Sequence, residues 1–168
     1  MTTKRVIVVG AGASGMMAAG RAAELAANVL LLEKTKHPGN KILISGKTRC
    51  NLTNTKELDE FIAMYCPDGR FLYSAFHRFF RDDLLSFLRR YGVETKTERG
   101  GRVFPASDDA RDVVKAFERY MADHGVELRT DNRVTGIQVD EGRVVGVQTE
   151  KGALSAAAVI LATGGASY

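Results

Sequence analysis

The sequence predicts an α/β fold, a Rossmann-like arrangement of three layers in which helices flank a parallel sheet. Three observations predict it. The β-branched run Val6–Val9 leads directly into a turn holding Gly10, Gly12 and Gly15. A helix with an almost bare face follows, then a second apolar run, NVLLLE, ending on Glu33. Near residue 160 a third run, AAAVILAT, aims at another glycine turn, Gly164–Gly165. Short apolar runs without alternation suit strands buried on both faces.

The first helix is expected to run to about Ala26. Gly15, Ala18, Ala19 and Ala22 fall on one of its faces, which lets it lie close to a sheet. In the Gly-x-Gly-x-x-Gly turn, Gly10 permits the tight reversal and Gly12 lets a pyrophosphate approach the backbone. Gly15 lets the helix meet the strand. The helix start at Ala13 and Ser14 offers free N–H groups and the positive dipole end to phosphates. Glu33, with Lys34 beside it, is placed to accept from a ribose hydroxyl pair. A carboxylate there repels a 2′-phosphate, so the unit predicts FAD or NAD rather than NADP. The apolar start is not a signal peptide or a span: glycines interrupt it, and Arg21 and Glu24 follow.

In GNKILISGKTRCNLTN, the SGKT imitates a P-loop. That motif needs glycine where Lys41 stands, and no strand leads in, which argues against an ATPase or kinase. The stretch follows the second strand, on the edge where open α/β sheets bind ligands. Lys41, Ser45, Gly46, Arg49, Cys50 and Asn51 are therefore candidate cofactor contacts. Arg49 suits either the negative charge of a reduced flavin or a surface ion pair, and Cys50 reads as a small buried thiol.

Leu58 to Tyr91 reads as helical with breaks, one of them at Cys66–Gly69. Leu84, Leu85, Leu88 and Tyr91 share a face. The aromatics Phe71, Tyr73, Phe76, Phe79 and Phe80 suit core packing or, as the alternative, a substrate cavity. Val93–Glu98 and Val103–Phe104 read as a hairpin that Pro105 stops. Ser107 is predicted to cap a helix through His124. VELRT is the next strand, beside the first two. A meander follows, with turns at Glu141–Gly142 and Lys151–Gly152. The last run, Ala157–Thr163, is expected to return to the sheet centre. Ala162, Thr163, Gly164 and Gly165 would then turn near the pyrophosphate, where a side chain would collide with the cofactor. One FAD-binding domain over 1–168 is expected, with a helical and hairpin insertion at about 57–106.

KILISGKTRCNLTN, GGRVFP and LATGGASY occur in that order. With them the whole chain resembles the BaiN-like family of bacterial NAD(P)/FAD-dependent oxidoreductases. In many relatives glycine stands at one or both of the positions held here by Lys47 and Thr48. The resemblance implies FAD, hydride transfer through flavin N5, a small-molecule substrate and NAD(P)H as a candidate electron donor. It also implies a chain about twice this length, with the segments that cover the flavin beyond Tyr168. The meander before the last strand resembles the glutathione-reductase-type FAD fold, in which backbone near Val134 lies against the adenine. The competing function class is a non-catalytic module that tethers FAD or NAD.

Cys50 and Cys66 form no Cys-x-x-Cys, and reduced thiols in a cytoplasmic protein are expected. His37, His77 and His124 lack metal-ligand spacing, so no metal is predicted. A net charge of +4 with scattered basic pairs suits a phosphate-bearing cofactor, and no nucleic-acid or membrane partner is predicted.

Overall fold

A computed structural model of the protein describes residues 5–65 and 68–165. Cys66 and Pro67 of the expected helical break, and residues 166–168 of the final motif, lie outside the described residues. In chain order the first elements are β1 (Arg5–Val9), α1 (Ala13–Glu24), β2 (Asn28–Leu32), α2 (Asn40–Ile44), β3 (Thr53–Asn54) and α3 (Leu58–Ala63). A 3-10 turn at Arg70–Leu72 leads to α4 (Tyr73–Phe76), α5 (Arg81–Arg90), β4 (Thr95–Glu98), β5 (Arg102–Pro105) and α6 (Ala110–Asp123). Then come β6 (Glu127–Arg129), β7 (Val134–Asp140), β8 (Arg143–Thr149), β9 (Gly152–Ser155) and β10 (Ala158–Leu161). The chain divides into two compact units, Met1–Ile42 with Phe117–Tyr168, and Leu43–Ala116.

The first unit is built on a four-stranded parallel sheet of order β10-β1-β2-β6. The glycine-led strand β1 is thus internal, as the pattern requires. The last run does return beside it, but β10 ends the sheet rather than taking the expected centre: among the described residues it pairs with β1 alone, and Leu161 is left exposed. Ile7, Val8, Leu30 and Leu31 are fully buried, which explains why these runs show no polar alternation. Each such side chain contributes about 1.5–3 kcal/mol on leaving water. Ile7, Val9, Leu30 and Leu32 pack with Val147 and Ala156, so the antiparallel meander β7-β8-β9 covers one sheet face. Val8 and Leu31 point the other way, toward α1. The helix buries Gly15, Met16, Ala19, Gly20 and Ala23. It stops at Glu24, two residues short of the expectation, because Ala26 takes φ +65° and reverses the chain.

The second unit carries a three-stranded antiparallel sheet of order β3-β5-β4. The hairpin is where the alternation placed it, with Thr97 opposite Val103. The third strand is not legible in the sequence, since Thr53 and Asn54 sit among turn formers and become a strand only by pairing with Val103 and Arg102. The aromatics divide. Phe61 packs edge-on against Phe76 and Phe80 at 5.6 and 5.3 Å, whereas Phe71 is 76% exposed. Helix α6 begins two residues later than a cap at Ser107 implies. The capping side chain is Asp109, whose Oδ1 accepts from Arg111 N at 2.9 Å, and Asp108 at φ +57° turns the chain into the helix.

Candidate functional site

The site in the first unit starts from the turn that follows β1. Gly10 N donates to Leu32 O at 2.8 Å, and Ala162 N donates to Val9 O at 2.9 Å, so the turn is held between the ends of β2 and β10. Gly10 sits at φ +99°, and a Cβ on it would lie 2.6 Å from Ala162 O. A Cβ on Gly15 would fall 1.8 Å from Gly10 O. Both glycines are therefore demanded by the protein itself. Gly12 is different. Its φ of −78° suits any residue, and a Cβ there would meet no protein atom within 4 Å. It is also the N-cap of α1, with no side-chain cap and no acid in the first turn. The opening N–H groups of α1, beginning at Ala13 and Ser14, are left for an outside acceptor. The bare cradle at Gly12 fits a pyrophosphate.

Glu33 stands at the end of β2 and is anchored from two directions. Its Oε2 accepts from Ala11 N at 2.8 Å, within the glycine turn. Its Oε1 accepts from Thr35 N at 3.0 Å and from Thr35 Oγ1 at 2.8 Å. A carboxylate oxygen can take two donors, so Oε2 retains one direction for a ligand hydroxyl. Beside it opens a cavity of about 320 Å³, lined by Gly10, Glu33, Lys34, Val134 and Thr163 together with Val9, Leu32, Asn132 and Arg133. Five sequence candidates from four distant segments thus meet around one space. Sequence reasoning missed Asn132 and Arg133. The available signal was their place just beyond β6, beside Glu33, whose O accepts from Asn132 N at 2.9 Å. Gly164 and Gly165 follow Thr163, and a Cβ on either would meet no protein atom within 4 Å. Lys41 lies exposed on α2.

The remaining candidates belong to the second unit. Ser45 O accepts from Cys50 N at 3.1 Å, closing a turn in which Gly46, Lys47, Thr48 and Cys50 have φ of +55°, +55°, +70° and +62°. Three of the four are not glycine. No helix follows Thr48 directly, which a P-loop would require. Arg49 Nη1 donates to Glu98 Oε1 at 2.7 Å and to Asp108 Oδ1 at 3.3 Å, and its Cζ lies 4.3 Å from the Phe104 ring centroid. Lys96 also pairs with Asp108. Of the two roles open to Arg49, the ion pair is formed. Asn51 N lies 2.7 Å from where a Gly46 Cβ would be. Burial pushes the Cys50 thiol up, against a smaller opposing effect of its hydrogen bond with Ser45, so the thiol stays protonated near neutral pH.

Comparison with known proteins agrees with this geometry. The chain is 34% identical over 164 residues to the 3-dehydro-bile acid delta(4,6)-reductase of Clostridium scindens, covering 96% of this chain and 39% of the reductase. It is 30% identical over 169 residues to the ribosomal RNA dihydrouridine synthase of Escherichia coli, covering 96% of this chain and 39% of that protein. The chain spans about two fifths of the length of both curated relatives. The open conformation of a flavocytochrome c3 fumarate reductase superposes with a TM-score of 0.63 at 25% identity, over 96% of this chain and 34% of that one. The family model described as the HI0933-like protein Rossmann domain matches residues 4–168. With its glycine turn at the carboxyl end of a central parallel strand and a match over nearly every residue, the chain belongs to the HI0933-like Rossmann domain family, whose relatives are flavoprotein oxidoreductases.

Proposed function

We propose that this chain is the FAD-binding part of a flavin-dependent oxidoreductase. The observation that carries the reading is Gly12, a glycine for which the folded protein supplies no reason, set at an uncapped helix start. The N–H groups of α1 would take the pyrophosphate, and Oε2 of Glu33 a ribose hydroxyl. The cavity between Glu33 and Val134 would take the adenosine end. Bound FAD supplies hydride transfer through its N5, while the protein supplies orientation and electrostatics. The Ser45–Asn51 turn is proposed as a flavin-side contact on its motif alone. The reductase and dihydrouridine synthase names of the relatives both denote adding hydrogen to an unsaturated bond. Reduction of a carbon–carbon double bond is therefore the reaction class we assign, and the small-molecule substrate is proposed on the likeness to the bile acid reductase. NAD(P)H as donor and the cytoplasm as location complete the proposal. Release of the cofactor by heat, with an absorbance spectrum and a mass, tests it. FAD that bleaches with a reductant and recovers in air is expected. A nicotinamide nucleotide alone would overturn the flavin assignment, and a bound flavin that no reductant bleaches would favour a tethering module.

A further inference from the structure

We infer that Asn132 reads the adenine base, which makes it a specificity-determining residue for the cofactor. The inference rests on the FAD reading above. Asn132 is 7% exposed, and its Oδ1 is a buried side-chain atom with no hydrogen-bond partner. A buried polar atom left unpaired is costly, so such a group calls for a partner. Among the described residues His124 Nε2 is the other such atom, and His124 does not line the cavity at Gly10. Asn132 does line the cavity that holds Gly10, Glu33 and Val134. Its backbone is fixed there, because Asn132 N donates to Glu33 O at 2.9 Å while Asp131 N donates to Thr35 O at 3.0 Å. The main chain is held and the carboxamide is not. A carboxamide with no bond to orient it can turn about its last torsion and present either its acceptor or its donor.

Adenine offers the matching pair, an amino group that donates and a ring nitrogen that accepts. Asparagine meets that pair with two bonds at once. The same residue borders a second cavity of about 420 Å³ that also holds Arg129, Thr149 and Lys151. On that side Thr149 Oγ1 donates to Gly152 O at 2.8 Å, and Arg129 pairs with Glu127. It is the Glu33 side to which the Asn132 main chain is tied, by the bond from Asn132 N to Glu33 O.

Titration of the cofactor-stripped protein with FAD, and with the FAD analogue whose adenine lacks the 6-amino group, tests the assignment. The wild type should prefer FAD by about tenfold, the size of one hydrogen bond. Asn132→Ala should bind both compounds alike. Asn132→Asp keeps the acceptor and nearly the same volume, so it should bind FAD more weakly yet retain the preference. Equal binding by the wild type, or an undiminished preference in Asn132→Ala, would overturn the inference and leave the carboxamide as the partner of an internal water. A wild type that binds neither compound would overturn the FAD reading itself.

Discussion

Gly12→Ala should separate the fold from the site. The new methyl meets no protein atom within 4 Å, and the φ of −78° and ψ of −176° are open to alanine. As an N-cap, alanine is poorer than glycine by about 0.5–1 kcal/mol. Alanine also loses less chain entropy on folding, which returns about 0.4–1 kcal/mol. The ligand-free protein should therefore change by less than about 0.5 kcal/mol, under about 2 °C in Tm. The methyl would stand where the pyrophosphate approaches. Losing one charged hydrogen bond costs about 1.5–3 kcal/mol, so FAD affinity should fall about 10- to 150-fold. Gly15→Ala is the contrast: its methyl would sit 1.8 Å from Gly10 O and 3.2 Å from Ala162 Cβ. The turn must open, at a cost of at least about 2 kcal/mol in the ligand-free protein. Urea denaturation without ligand and FAD titration by flavin fluorescence read the two quantities. If Gly12→Ala binds FAD within twofold of the wild type, the cradle is not the pyrophosphate site and the reasoning fails.

Lys47→Gly and Thr48→Gly should each stabilise the protein by about 0.5–1 kcal/mol in urea denaturation, because left-handed backbone costs a side chain more than glycine loses in entropy. No gain would mean that the turn is not strained. Asp109 is held down to about 2, chiefly by its side-chain hydrogen bond with Arg111 and then by the Arg111 backbone N–H. A depressed carboxyl stabilises the fold above its unfolded value of 3.8 and loses that contribution as pH falls toward 2. An acid titration of stability should show this loss, and Asp109→Asn, which keeps the cap but cannot ionise, should flatten it. In a Cys66→Ser background, Cys50 should react with a thiol reagent at pH 8 at least tenfold more slowly than after denaturation, since it is buried and its thiol is pushed up. Equal rates would show the thiol to be open.

The sequence by itself determined the sheet and the dinucleotide turn. Strand, glycine turn, bare-faced helix and terminal acid are written in unbroken apolar runs, fixed glycine spacing and a period of 3.6 residues over a short span. Such local patterns survive whatever the rest of the chain does. That β10 returns beside β1 was legible for the same reason, but its place at the sheet edge rather than the centre was not. Other features depended on partners far along the chain, which no local pattern encodes. Ser107 lost the cap to Asp109 because Asp108 turned the chain first. Thr53–Asn54 became a strand only because Val103 and Arg102 came alongside. Arg49 found Glu98 and Asp108, 49 and 59 residues away. At the site, the sequence named Gly10, Gly12 and Gly15 together, but packing alone told them apart. Two are required by contacts with Ala162 and with each other, and one stands over empty space. Packing likewise brought Asn132 beside Glu33 and left its carboxamide without a partner. A motif states which residue types a ligand needs; which of them the protein has not already used is decided only when distant segments meet.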